Sequence, residues 1–199
     1  MNKSKKSTVK TISFMIIFSI AVILFYFFVR TRTSPLFTKS DDSPTELETL
    51  LSKDIPNSYP PSPREVVKLY SRMTKVLYSE KLQDDQIEKL AGQLKCLYDD
   101  ELIANKSETD YILDLKVEIS DYRDNDRTIM QYVIDDSDSV VYWDKDDMNY
   151  ASLVASFTTK EGRSYSKIFE KFTLRKDIEG KWKILGWALS DKTEISGGE

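Results

Sequence analysis

Glu170 is the titratable residue whose setting in the sequence is most unusual. Within Ser166–Arg175, the apolar residues Ile168, Phe172 and Leu174 fall on its side of an extended chain. Lys167, Lys171, Thr173 and Arg175 fall on the other. A carboxyl group at a position patterned for the interior can serve acid–base chemistry or bind a polar ligand, because burial moves its pKa towards neutrality. Phe169 on the opposite side leaves both faces mixed, so a bulge, an edge position or a salt bridge to a lysine would accommodate Glu170 equally well. The expectation is the surface pairing with lysine. Glu170 is kept as a candidate ligand-binding residue, and no residue is assigned a catalytic role.

Other chemistries are bounded by what the chain lacks. It has no histidine, which excludes a Ser-His-Asp triad, a Cys-His pair and any histidine metal site. A single cysteine, Cys96, excludes an intrachain disulfide and a Cys-rich zinc site. It reads as a small residue on a helix, with a reactive thiol or an intermolecular bridge as the alternative. Three acidic groups, Asp121/Asp124/Asp126, Asp135/Asp136/Asp138 and Asp144/Asp146/Asp147, suggest calcium. None offers the glycine and twelfth-position glutamate of the common loop, and aspartates favour turns for backbone reasons. No metal or cofactor is expected. The net charge is −4, and more acidic once the four lysines of residues 1–10 are set aside, which argues against nucleic acid as a partner.

The elements that would position Glu170 are helices first and strands after. Ser62-Pro63-Arg64-Glu65 carries a capping serine, a proline at the first helical position and a glutamate three residues on. Behind it Val66, Leu69, Tyr70, Met73, Val76 and Leu77 form one stripe, predicting a helix over 63–79. Ile87, Leu90, Ala91, Leu94, Leu97 and Tyr98 predict a second from residue 84 or 85, and Glu101–Ile103 a short third. From Tyr111 the period changes to two. Tyr111, Leu113, Leu115, Val117 and Ile119 alternate with Ile112, Asp114, Lys116, Glu118 and Ser120, which predicts a strand. Further strands are expected at 128–134, 140–143, 150–159, 164–175 and 181–189. Hairpin turns fall at Lys160–Arg163 and Asp177–Gly180. Trp182 and Trp187, five residues apart, are expected on opposite faces of the last strand. The fold class is α+β: two or three helices on a curved, mostly antiparallel sheet of about six strands.

Residues 11–29, TISFMIIFSIAVILFYFFV, contain no charge. As a helix they would extend about 28 Å, the thickness of a bilayer's hydrocarbon core. Lys3, Lys5, Lys6 and Lys10 precede the run without an acidic residue, which favours a cytoplasmic N-terminus. The run ends in Phe27-Phe28-Val29-Arg30, a poor cleavage site, so an uncleaved signal anchor is expected rather than a signal peptide. All six prolines lie between Pro35 and Pro63. The expected division is therefore a cytoplasmic 1–10, a transmembrane 11–29, a proline-rich extracytoplasmic stalk over 30–61, a folded domain over 62–190 and a disordered tail over 191–199. Within the stalk, Ser43-Pro44-Thr45-Glu46 predicts a short helix through Leu47, Leu50 and Leu51, whose leucines meet either the membrane surface or the domain.

Helices first, a meander of strands after, and a last strand of the form Gly180-Lys181-Trp182-Lys183-Ile184 resemble the NTF2-like (cystatin-like) superfamily. Tyr59-Pro60-Pro61-Ser62-Pro63-Arg64-Glu65-Val66-Val67 and Leu97-Tyr98-Asp99-Asp100-Glu101-Leu102 resemble, more narrowly, a family of single-pass membrane proteins of clostridial-type Gram-positive bacteria. The first resemblance implies a cone closed at one end. Enzymes of that superfamily work in its open mouth with a carboxylate, histidine or tyrosine, and without histidine their His–Asp pairings cannot be rebuilt here. The narrower resemblance implies location and fold but no catalytic residues. The expected function is a membrane-tethered, extracytoplasmic binding or scaffold module that is not an enzyme. It would be held in the cell membrane by one N-terminal helix, with a protein partner or self-association. The alternative is a small-molecule-binding or enzymatic NTF2-like domain at the cell surface.

Overall fold

The computed structural model of the protein describes residues 44–191. The expected anchor at 11–29, the segments on either side of it up to residue 43, and the tail from 192 lie outside the described residues. Among the described residues, no helix is long and apolar enough to cross a membrane.

Among the described residues, five α-helices precede five strands. They are α1 (Glu46–Leu51), α2 (Pro63–Ser79), α3 (Asp84–Lys95), α4 (Asp100–Ile103) and α5 (Glu108–Asp124), then β1 (Arg127–Ile134), β2 (Val141–Lys145), β3 (Met148–Glu161), β4 (Ser164–Lys176) and β5 (Trp182–Leu189). The fold is α+β with an antiparallel sheet, as the pattern predicts, but the described residues form five strands rather than about six. Each of the sheet's pairings is antiparallel. Its order is β1-β3-β4-β5, and β2 pairs with the stretch of β3 that β1 leaves free. Hairpins close at Gly162 (φ 56°) and, beyond β4, at Gly180 (φ 78°), where the left-handed backbone favours glycine.

The missing strand is α5. Residues 108–124 form a helix started by Ser107, whose hydroxyl accepts the Asp110 N–H at 3.2 Å. The alternation that suggests a strand has a physical cause. Leu115 and Ile119 are buried, whereas Leu113 and Val117, 58% and 61% exposed, are apolar residues on the helix's solvent side. Tyr111, Leu115, Ile119 and Tyr122, buried or half-buried, recur at four, four and three residues, a single inward stripe at 100° per residue.

The folded unit begins at Thr45, not at Ser62. Thr45 caps α1 and forms a reciprocal box with Glu48, two residues beyond the cap expected at Ser43. Leu50 and Ile55 are fully buried in the core. The Gln93 amide donates to the Leu50 and Lys53 carbonyls at 2.8 and 3.0 Å, and the Tyr59 hydroxyl donates to the Trp182 carbonyl at 2.7 Å. The leucines of α1 therefore dock on the domain, and residues 45–61 are part of it rather than of a stalk.

α2 supplies most of the helical core, with Val66, Val67, Leu69, Tyr70, Met73, Val76 and Leu77 buried. Its cap is Ser62, as predicted, accepting the Glu65 N–H at 3.3 Å. The inner sheet face meets it through Leu153 and Phe157 of β3, Phe172 and Leu174 of β4, and Ile184 of β5. Register shifts interrupt the ladders at Ile129/Gln131 and Thr173/Leu174, which bends the strands there. The second shift also corrects the expectation for the tryptophans. Trp182 pairs with Lys176 and Trp187 with Phe172, so the extra residue brings both rings to the inner face.

Candidate functional site

The inner face at the Trp187 end of the sheet is lined with rings. Tyr70 of α2 meets Phe172 at 5.2 Å and Trp187 at 5.4 Å between centroids, and Phe172 stacks on Trp187 at 5.9 Å. Tyr98, in the turn after α3, lies 6.1 Å from Trp187 and 6.2 Å from Tyr111 of α5. Burial raises the hydroxyl pKa values of Tyr70, Tyr98 and Tyr111, so these rings stay neutral.

Beyond the rings the packing opens into a pocket of about 300 Å³. Tyr98, Tyr111 and Trp187 give it aromatic walls, and Leu102, Ile103 and Leu115 give it aliphatic ones. Trp187 remains 40% exposed although its ring is packed on one side. The wall formed by α4 is mounted by a short parallel bridge. Asp99 N–H donates to the Ile184 carbonyl and Ile184 N–H to the Leu97 carbonyl, each at 2.8 Å. Asp99 is buried and held by Arg175 of β4 through two bonds, Nε–Oδ2 at 3.0 Å and Nη2–Oδ1 at 2.5 Å. Arg175 Nη1 also donates to Glu101 at 2.9 Å, and Asp99 accepts the Glu101 N–H at 3.0 Å as the cap of α4. The two carboxylates stabilise the guanidinium charge and raise its pKa.

Glu170 stands two residues along β4 from Phe172, on the same inner face, between Ala155 of β3 and Leu189 of β5. It is half-buried, and it is not the surface partner of a lysine that the sequence suggests. Its pKa rises to about 7, first because burial disfavours the charge and second because Glu118 bears on it. Glu118, exposed on the flank of α5, bears on the Tyr78 hydroxyl, which burial first and this carboxylate second keep protonated. Among the described residues neither carboxylate has an ion-pair partner. Glu118 lines the pocket and Glu170 does not.

The sequence singled out Glu170 but passed over Glu118, because the strand reading put Glu118 on the polar side. Tyr98, Tyr111 and Trp187, from three different elements, had no shared local signal. The acidic clusters are split between elements and turns: Asp121 and Asp124 lie in the last turn of α5 and Asp144 in β2, while Asp126 just after α5 and Asp146 and Asp147 of the β2–β3 turn have positive φ. Among the described residues no group of three or more carboxylate or thiol side chains is placed to hold a metal. Cys96 is half-buried at the end of α3, its thiol directed at the Gly92 carbonyl.

No curated protein matches the chain. A family model described as a domain of unknown function (DUF6715) matches residues 1–187, nearly the whole sequence, and the chain belongs to that family.

Proposed function

We propose that the chain is a membrane-tethered, extracytoplasmic binding module with an NTF2-like cone whose mouth holds one small-molecule site. The observation that carries this reading is the pocket itself. A cavity of about 300 Å³ with three aromatic walls is at the lower end of the range for small-ligand sites, and a half-exposed tryptophan at its edge is an ordinary ligand contact. The NTF2-like assignment is supported by the helix-first order, by helices gathered on one face of the sheet, and by bulges that curve it. Tethering is supported by the uncharged run at 11–29 and the lysines before it. Binding is favoured over catalysis because Glu170, whose pKa of about 7 would suit an acid or base, does not line the pocket.

The test is a ligand-observed NMR screen of a small-fragment library against the full chain in maltoside micelles. Leu102→Trp, which fills the pocket from α4, is the control. Fragments that bind the wild-type protein and lose binding in the variant support the reading. An empty screen, or hits indifferent to the substitution, would overturn it.

A further inference from the structure

The charges around the pocket are not evenly compensated. Lys95 is paired with Glu108 at 3.6 Å, and Lys106 with Asp114 at 2.5 Å. That leaves Glu118 as the one charged lining group without an ion-pair partner among the described residues. Glu170 adds a second carboxyl group near enough to feel it, and Tyr78 and Tyr122 surround the pair with further rings. The negative faces of aromatic rings such as Tyr98, Tyr111 and Trp187 attract positive charge, as does a carboxylate without an ion pair. The two lysines of the lining are each held by a carboxylate of their own, so neither is left to favour an anion. A primary ammonium needs three acceptors for its N–H groups. The walls are mainly apolar, so they suit a cation whose nitrogen is already covered by carbon.

We infer that the pocket binds a small alkylated ammonium compound, its cationic head enclosed by Tyr98, Tyr111 and Trp187 and its charge met by Glu118. This rests on the binding-module reading and names the ligand class for that site. A free solute and the headgroup of a lipid share this chemistry.

The experiment is isothermal titration of the full chain in maltoside micelles with choline, and with its uncharged carbon analogue 3,3-dimethylbutan-1-ol. Choline should bind about tenfold more tightly than the alcohol, the scale of one cation–π and carboxylate contact set. Glu118→Gln, at an exposed position, should melt like the wild-type protein and lose most of that preference while retaining the alcohol. Glycerophosphocholine in place of choline separates the sources: tighter binding than choline identifies a lipid headgroup, weaker binding a free solute. Equal affinity for choline and the alcohol would overturn the cation inference and leave the binding site standing. An unchanged preference in Glu118→Gln would overturn it as well. If neither compound binds, the inference falls, and the fragment screen with Leu102→Trp decides separately whether the pocket binds anything.

Discussion

A carboxyl group that titrates near pH 7 makes the stability of the fold depend on pH in an uncommon direction. The groups facing Glu170 are Tyr70 from α2 and Glu118 and Tyr122 from α5, while β3 and β5 place Ala155 and Leu189 beside it. The tyrosines stay neutral throughout this range. In the unfolded chain Glu170 ionises near pH 4.5, and in the folded protein at about 7. Between those values the folded state holds the extra proton, so stability falls as pH rises and the loss is complete above pH 7. The group retains some contact with water, so the loss is on the order of 1–2 kcal/mol. Glu170→Gln should therefore melt higher than the wild-type protein at pH 8 and equally near pH 4. A variant that melts lower at pH 8 would show that the carboxylate has a stabilising partner.

At the scale of elements, α5 gives the sharpest test of packing. Leu113→Gln, on its solvent side, should change stability by no more than about 0.5 kcal/mol. Leu115→Ala, two residues away and buried, should cost about 2–5 kcal/mol in a denaturant titration. A half-buried strand would lose heavily at both positions. The same helix explains which parts of the fold were legible in the sequence. α2 could be read to the residue, because Ser62, Pro63 and Glu65 mark its start and its stripe is all apolar. In α5 the solvent side carries the apolar Leu113 and Val117, so polarity and burial part company and a period of two emerges by accident. The cap Ser107 and the acidic first turn, Glu108 and Asp110, were the signals that pointed to a helix. The pocket was illegible for another reason. It depends on which turn lies beside which strand, and a bulge that no spacing rule anticipates turned Trp187 inwards.

For the whole molecule, the start of the folded unit decides what can stand alone. A fragment of residues 62–190 lacks Leu50 and Ile55, both buried, and leaves part of the core against water. At about 1.5–3 kcal/mol for each such side chain, the loss is a large share of a domain's total stability. A fragment of residues 45–190 should unfold cooperatively in urea, and one of 62–190 should be much less stable or unfolded. Equal midpoints for the two would return α1 to the stalk.

The Asp99–Arg175 pair, described above as the mount for α4, also has a bearing on how copies of the chain meet one another. An outermost strand offers unpaired N–H and C=O groups that template the pairing of another chain. Along β5 that outward row is occupied at Ile184 by the backbone of Leu97 and Asp99, and Arg175 is what keeps Asp99 there. One guanidinium thus supports both the α4 wall of the cavity and the cover over the Ile184 backbone at the sheet edge. Loosening that ion pair would therefore move the pocket wall and free the backbone N–H and C=O of Ile184 together.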